Sequence, residues 1–284
     1  RHKKDSSIKN KERKEIMADN ILEILAETAR ERVSEDKKKI PMEKMKELAF
    51  SMECNTDKKS GFPVERALSS GDISFICEVK KASPSKGIIA EDFPYLKIAK
   101  EYEEAGAACI SVLTEPSRFL GSDTYLKEIA ETVHIPVLRK DFTIDAYQIY
   151  QAKVLGASMV LLICALLDEA TIREYIGICD SLGLSALVEA HDEAEIDMAV
   201  RAGARIIGVN NRNLKNFTVD VHNSERLRKL VPQDIFFIAE SGIRTQDDIR
   251  VLHEAGVNGV LIGETLMRSD DKKAMLDELR KGCQ

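Results

Sequence analysis

Ser74-Phe75-Ile76-Cys77-Glu78-Val79-Lys80-Lys81-Ala82-Ser83-Pro84-Ser85-Lys86-Gly87 reads as a strand that opens into a binding loop. Its first half is rich in aromatic and β-branched residues, which suit a buried strand. Side chains alternate across a strand, so Phe75, Cys77 and Val79 share one face and Ile76, Glu78 and Lys80 the other. The first face is apolar and needs a cover of helices. The second carries a carboxylate and an ammonium two residues apart, where the strand ends. Burying charge is costly unless the charges are paired or used. The pair is therefore either a structural ion pair or an acid/base pair at the mouth of a sheet or barrel. The polar loop that follows, stiffened by Pro84 and freed by Gly87, favours the second reading, because binding loops are commonly carried in this way on a rigid scaffold.

Working outward, the strand–helix unit recurs. Strands are predicted at 74–79, 108–113, 136–140, 158–163, 185–189, 205–209, 235–239 and 258–262. Helices follow near 94–105, 123–132, 145–154, 168–181, 191–201, 221–230 and 245–254, with a short turn near 264–268 and a last helix at 271–281. Gly106, Gly156, Gly183, Gly203 and Gly256 stand where helices end and fit C-terminal caps. Such alternation implies parallel strands under helices. Eight units over residues 71–284 predict a (β/α)8 TIM barrel. An open doubly wound sheet would typically use fewer units, and no Gly-x-Gly-x-x-Gly follows the first strand.

Residues 17–70 contain no convincing strand and read as an N-terminal helical extension of the same domain. Ile21, Leu25, Ala29 and Val33 recur at helical spacing, and Pro41 suits the start of a second helix over 42–52. Cys54 to Gly61 reads as a polar loop, and 62–69 as one more helical turn. Residues 1–16 hold seven Lys/Arg against three Asp/Glu with little apolar periodicity. They are expected to be a leader or expression remnant without ordered structure, ahead of a natural start at Met17.

The totals exclude several classes. A net charge of −6 gives no overall pull toward nucleic acid. No stretch approaches the ~20 apolar residues of a membrane helix, and no signal peptide is visible. None of the six cysteines forms a Cys-x-x-Cys pair, and Cys77, Cys109 and Cys164 lie in apolar strand-like runs. They read as reduced core residues of a cytoplasmic protein. The five histidines are scattered, and no His/Cys cluster has metal-ligand spacing.

In a parallel barrel the site lies at the C-terminal ends of the strands. There the sequence offers Glu78, Lys80, Ser83 and Pro84; Arg139, Lys140, Asp141 and Phe142; Glu189; Asn210 and Arg212; Glu240, Ser241 and Gly242; and Gly263, Glu264 and Thr265. One charge at a strand end is usually a solvated rim, but polar groups finish at least five apolar strands here. Arg139 and Asp141 have opposite parity to Lys140 and are expected to pair locally. Gly242 and Gly263 each precede a helix start, in the loops that most often hold phosphate in such barrels. Tight turns alone are the plainer explanation of each glycine; both together favour phosphate.

Glu78-x-Lys80-x-x-Ser83-Pro84-Ser85, Leu138-x-Lys140-Asp141-Phe142, Leu187-Val188-Glu189-Ala190, Gly208-x-Asn210-x-Arg212-x-Leu214, Ala239-Glu240-Ser241-Gly242-Ile243 and Ile262-Gly263-Glu264-x-Leu266-Met267 resemble, in order, the indole-3-glycerol phosphate synthases of tryptophan biosynthesis. The match runs from about Met17 to the C-terminus. The resemblance implies extra N-terminal helices near the mouth, no metal or organic cofactor, and the substrate 1-(2-carboxyphenylamino)-1-deoxyribulose 5-phosphate. This phosphosugar–anthranilate conjugate is cyclised with loss of CO2 and water. Other tryptophan-pathway enzymes are the candidate partners.

By carry-over, Lys140 is the general acid for ring closure. Lys80 pairs with the anthranilate carboxylate or serves as acid in the dehydration. Glu189 stabilises the cationic intermediate or works in the dehydration, Glu78 orients Lys80, and Asn210 holds substrate hydroxyls. Arg212 contacts the carboxylate or holds the rim, and Phe142 walls the anthranilate ring. Ser83, Pro84, Ser241, Gly242, Ile262, Gly263 and Glu264 complete the substrate and phosphate contacts. Two rivals stand against this reading. Phosphoribosylanthranilate isomerase needs a Cys or Asp acid/base pair at strand ends, and no Cys sits suitably. A catalytically silent barrel would have lost the charges seen here.

Overall fold

In the computed structural model, residues 2–52, 62–212 and 218–284 are described, with side chains from Ile21 onward. The alternation of Ser74–Val79 becomes the first strand of a closed barrel. The strands are β1 (Ser74–Val79), β2 (Cys109–Leu113), β3 (Val137–Lys140), β4 (Met159–Ile163), β5 (Ser185–Ala190), β6 (Ile206–Asn210), β7 (Phe236–Glu240) and β8 (Gly259–Ile262). Each pairs in parallel with the next, and β8 closes onto β1 with Phe75 opposite Val260. The predicted parity holds. Phe75, Cys77 and Val79 pack outward with Ile98 and Tyr102 under the helices. Ile76 points inward with Leu138, Leu161, Leu187, Ile206, Ile238 and Leu261. Burying one such side chain contributes ~1.5–3 kcal/mol, so two opposed apolar faces strongly specify this register.

The chain reaches the barrel through α1 (His2–Lys39), α2 (Met42–Ser51) and α3 (Pro63–Leu68). The expected leader over 1–16 concerns residues whose side chains lie outside the described ones, as does the polar loop at 54–61. Val64 and Leu68 of α3 join the inner core, while Glu65 accepts from Arg205 at 3.0 Å. The helix therefore plugs the N-terminal end of the barrel. The opposite end is held by α1, whose Arg32 donates two hydrogen bonds to Asp141 at 2.9 and 2.7 Å.

The outer layer comprises α4 (Tyr95–Glu104), α5 (Asp123–Thr132), α6 (Ala146–Val154), α7 (Glu169–Leu182), α8 (Glu193–Ala202), α9 (His222–Arg228), α10 (Gln246–Glu254), α11 (Glu264–Met267) and α12 (Lys272–Arg280). Gly183 and Gly203 end α7 and α8 at φ 70° and 90°, a left-handed conformation that a Cβ disfavours. One element was not legible in sequence. The loop after β1 folds into a small antiparallel hairpin, Ala82–Ser83 against Gly87–Ile88.

Candidate active site

The strands end around a cavity of about 410 Å³, and every residue given a catalytic or binding role from sequence lines it. Glu78 and Lys80, Lys140, Glu189 and Asn210 all occupy inward positions, as the pleat requires. The rim is made of Ser83, Pro84, Phe142, Arg212, Ser241, Gly242, Ile262, Gly263 and Glu264. Ile21, Leu22 and Leu25 of α1 add an apolar wall, and the Phe119 ring lies 6.2 Å from that of Phe142.

Lys140 is the centre of charge. Its Nζ lies 3.2 Å from Glu189 Oε2 and 3.3 Å from Glu240 Oε2. Burial opposes its charge, but Glu240, Glu189 and Glu78 outweigh burial and hold its pKa above the ordinary lysine value. Burial likewise works against the Glu189 anion; Lys140 and His191 overcome it and hold that carboxyl well below its usual range. Glu240 goes the other way. Burial and the nearby Glu189 charge outweigh Lys140 and push Glu240 up to about 7. The three groups thus form one coupled unit in which Glu189 is the firm anion and Glu240 the carboxyl that readily takes a proton.

Across the mouth, Lys80 Nζ donates to Glu78 Oε1 at 2.5 Å, and Ser111 Oγ stands 3.4 Å from Glu78 Oε2. Gly263 makes room for this pair, since a Cβ there would lie 2.5 Å from Glu78 Oε1 and 2.8 Å from Lys80 Nζ. Gly208 does the same for Glu240, whose Oε1 would collide with a Cβ. Asn210 donates to Glu189 Oε1 at 3.3 Å and accepts from the Arg212 N–H at 3.0 Å.

The phosphate-like end is built from backbone. Ser241 and Gly242 are consecutive left-handed residues, at φ 67° and 82°. Such a turn directs successive N–H groups to one side. Gly263 precedes α11, and Glu264 there pairs with Lys86 at 3.5 Å and Arg268 at 3.1 Å. Arg212, Arg244 and Arg268 line the same side. Burial depresses the Arg212 pKa, an effect that Glu264 opposes and the nearby Arg244 charge reinforces. This is an edge short of negative charge.

Arg139 and Asp141 pair locally at 3.5 Å, as their parity predicts, and Arg139 also contacts Asp123. Sequence reasoning missed two residues of the cluster. Glu240 was placed at a strand end but given no role. Its inward parity with Ile238 was the available signal. His191 lies one residue beyond β5, and its Nε2 stands 3.3 Å from Glu189 Oε1; nothing in the local pattern marks it.

Comparison with known proteins bears on this arrangement. The family model for indole-3-glycerol phosphate synthase matches residues 22–279. The chain belongs to the indole-3-glycerol phosphate synthase family. The synthase of Ruminiclostridium cellulolyticum is 59% identical over 92% of this chain and 98% of its own length. That of Carboxydothermus hydrogenoformans is 43% identical over 91% and 99%. Among solved structures, 3-hexulose-6-phosphate synthase from Salmonella typhimurium superposes with a TM-score of 0.62 at 15% identity, covering 74% of this chain and 98% of that one. That likeness speaks for the barrel alone. The synthase family carries the lyase chemistry of tryptophan biosynthesis.

Proposed function

We propose that the cavity binds 1-(2-carboxyphenylamino)-1-deoxyribulose 5-phosphate and converts it to indole-3-glycerol phosphate, with CO2 and water released. The observation that carries the assignment of roles is the Lys140 ammonium held between Glu189 and Glu240 in a cavity that Ser241, Gly242 and Gly263 also line.

The substrate phosphate rests on the N–H groups near Ser241, Gly242, Gly263 and Glu264, with Ser83 and Pro84 closing from the β1 loop. The aryl ring lies against Phe142. Ring closure joins the aryl carbon bearing the carboxylate to the ribulose carbonyl carbon. The carbonyl oxygen becomes an alkoxide far more basic than an amine, so Lys140 gives it a proton in the same event. The ring nitrogen becomes cationic, and Glu189 stabilises that charge. Breaking the C–CO2 bond returns its electron pair to the ring and neutralises the nitrogen. Loss of the new hydroxyl as water then requires an acid and a base. Lys80, hydrogen-bonded to Glu78, is the acid, and Glu189 takes the proton released from the five-membered ring. Before that step Lys80 and Arg212 are the cations available to the substrate carboxylate, and Asn210 holds a sugar hydroxyl.

Five cysteines among the described residues are free thiols, four of them buried. Among the described residues no helix is long and apolar enough to cross a membrane. Both facts suit a reaction run in the cytoplasm beside other enzymes of the pathway. The test is direct: purified protein is mixed with the substrate and indole absorbance and fluorescence are followed, with Lys140→Ala and EDTA controls. Indole formed by the wild type, unaffected by EDTA and lost in the variant, is expected. A folded wild type that binds phosphate ligands yet forms no indole would overturn the assignment.

A further inference from the structure

The imidazole of His191 stands directly behind Glu189. Its Nε2 lies 3.3 Å from Glu189 Oε1, while its Nδ1 lies 3.0 Å from Glu195 Oε2. The His191 backbone N–H donates to that same Glu195 oxygen at 2.7 Å, so one carboxylate grips both the ring and its main chain. Glu195 sits in the first turn of α8, with its own N–H capped by Asp192 at 3.0 Å. The ring is therefore held on a rigid element. It does not line the cavity, so it reaches the substrate only through Glu189.

Glu189 thus has the Lys140 ammonium on its cavity side and the His191 ring behind it. The other groups facing this cluster are Glu240, Glu78, Asn210 and the Cys164 thiol, whose pKa burial raises. Burial alone would discharge the His191 ring, but Glu189 and Glu195 outweigh burial and raise its pKa to about 10.

We infer that His191, gripped by Glu195, is a positioning residue that keeps Glu189 ionised and aimed into the cavity while Lys140 gives up its proton. The inference rests on the roles proposed above for Lys140 and Glu189. Once Lys140 is a neutral amine, Glu189 and Glu240 are two buried carboxyls beside an uncharged group, and one of them takes up a proton from solvent through the open mouth of the cavity. Glu240 has no second cation beside it and accepts that proton. Glu189 keeps the imidazolium 3.3 Å away and stays an anion, as the cationic nitrogen of the intermediate requires. Without His191 the two carboxyls would compete on more equal terms, and Glu189 would be neutral in part of the molecules at the step that needs it.

The test uses His191→Gln, His191→Ala and Glu195→Gln, with kcat and KM measured from pH 5 to 9. Removing one adjacent opposite charge moves a carboxylate pKa by about 1–3 units. The acidic limb of the kcat profile is therefore expected to move up by at least about one unit in both His191 variants. The fall in kcat should be largest at pH 5, at least about threefold, and fade toward pH 9, with KM changed less than about threefold. Glu195→Gln should act in the same direction and less strongly. A folded His191→Gln with kcat within about twofold of wild type and an unmoved acidic limb overturns the inference. If His191→Ala does not fold, His191→Gln and Glu195→Gln decide. A second readout is independent of turnover. In the histidine NMR titration, the His191 ring should stay doubly protonated through pH 8 and titrate lower by at least one unit in Glu189→Gln. A ring neutral at pH 7 in the wild type overturns the inference without touching the assigned reaction. A wild type that forms no indole overturns the reaction itself, whatever the titration shows.

Discussion

Replacing Glu240 by Gln should make the protein more stable above neutral pH while making it a poorer catalyst. The side chain is only 2% exposed and shares Lys140 with Glu189, and its Oε1 has no hydrogen-bond partner. Its carboxyl is raised from 4.5 to about 7, burial being the largest cause. One pKa unit corresponds to 1.36 kcal/mol, so the ionised Glu240 destabilises the native state by on the order of 3 kcal/mol relative to a neutral side chain of the same shape. The sign follows from linkage. The folded pKa lies above the unfolded one, so the native state holds more protons between pH 4.5 and 7 and loses stability across that window as pH rises. Gln carries no such dependence. Urea unfolding of both proteins at pH 5, 6, 7 and 8, followed by two spectroscopic probes, should show the variant's advantage growing from near zero at pH 5 to its full size by pH 8. At unchanged m-value that is an increase in midpoint of up to about 1 M. Activity should move the opposite way: with no Glu240 carboxyl to take up a proton when Lys140 is neutral, Glu189 takes it instead, and kcat should fall at least about tenfold. A stability difference that is independent of pH, or a variant less stable than wild type at pH 8, would refute the reasoning.

Lys140→Ala should lower kcat by at least about a thousandfold while leaving the far-UV circular dichroism unchanged, because Glu240 can take up a proton once its cation is gone. A variant with near-normal kcat would remove Lys140 as the acid. Glu189→Gln should lower kcat more than it raises KM in steady-state assays, and a pure KM effect would make Glu189 a binding residue. Arg32→Met strands a fully buried Asp141 carboxylate. The cost should be about 3 kcal/mol by chemical unfolding, the low end for breaking a buried pair, because Arg139 and Thr114 remain in contact with Asp141. Less than about 1 kcal/mol would show that the contact between α1 and the barrel is dispensable. Burial opposes the Asp141 anion, but Arg32 and Arg139 hold its pKa below the ordinary 3.8. That stabilisation is present above about pH 4 and is lost as pH falls through the lower folded value.

Much of the architecture was legible in the linear chain because its signals are local. The period-2 runs, the helical stretches between them and the glycines at helix ends each report on a few neighbouring residues, and backbone geometry converts them directly into strands, helices and caps. Parity along Ser74–Val79 therefore predicted which side chains face the helices and which face the axis. The motifs at the strand ends likewise pointed to Lys80, Lys140, Glu189 and the glycines of the phosphate-like rim. What the tertiary structure alone decided is how those groups act on one another. Lys140 lies between Glu189 and Glu240, residues 49 and 100 positions away in the chain, because β3, β5 and β7 send their inward side chains to the same depth. Arg32 reaches Asp141 across 109 residues, and α3 closes the far end of the barrel through Val64 and Leu68. The opposite behaviour of two glutamates, one a firm anion and one titrating about neutrality, has no counterpart in their residue type. Coulomb coupling and desolvation depend on distance and burial in three dimensions, and closing the barrel is what sets both.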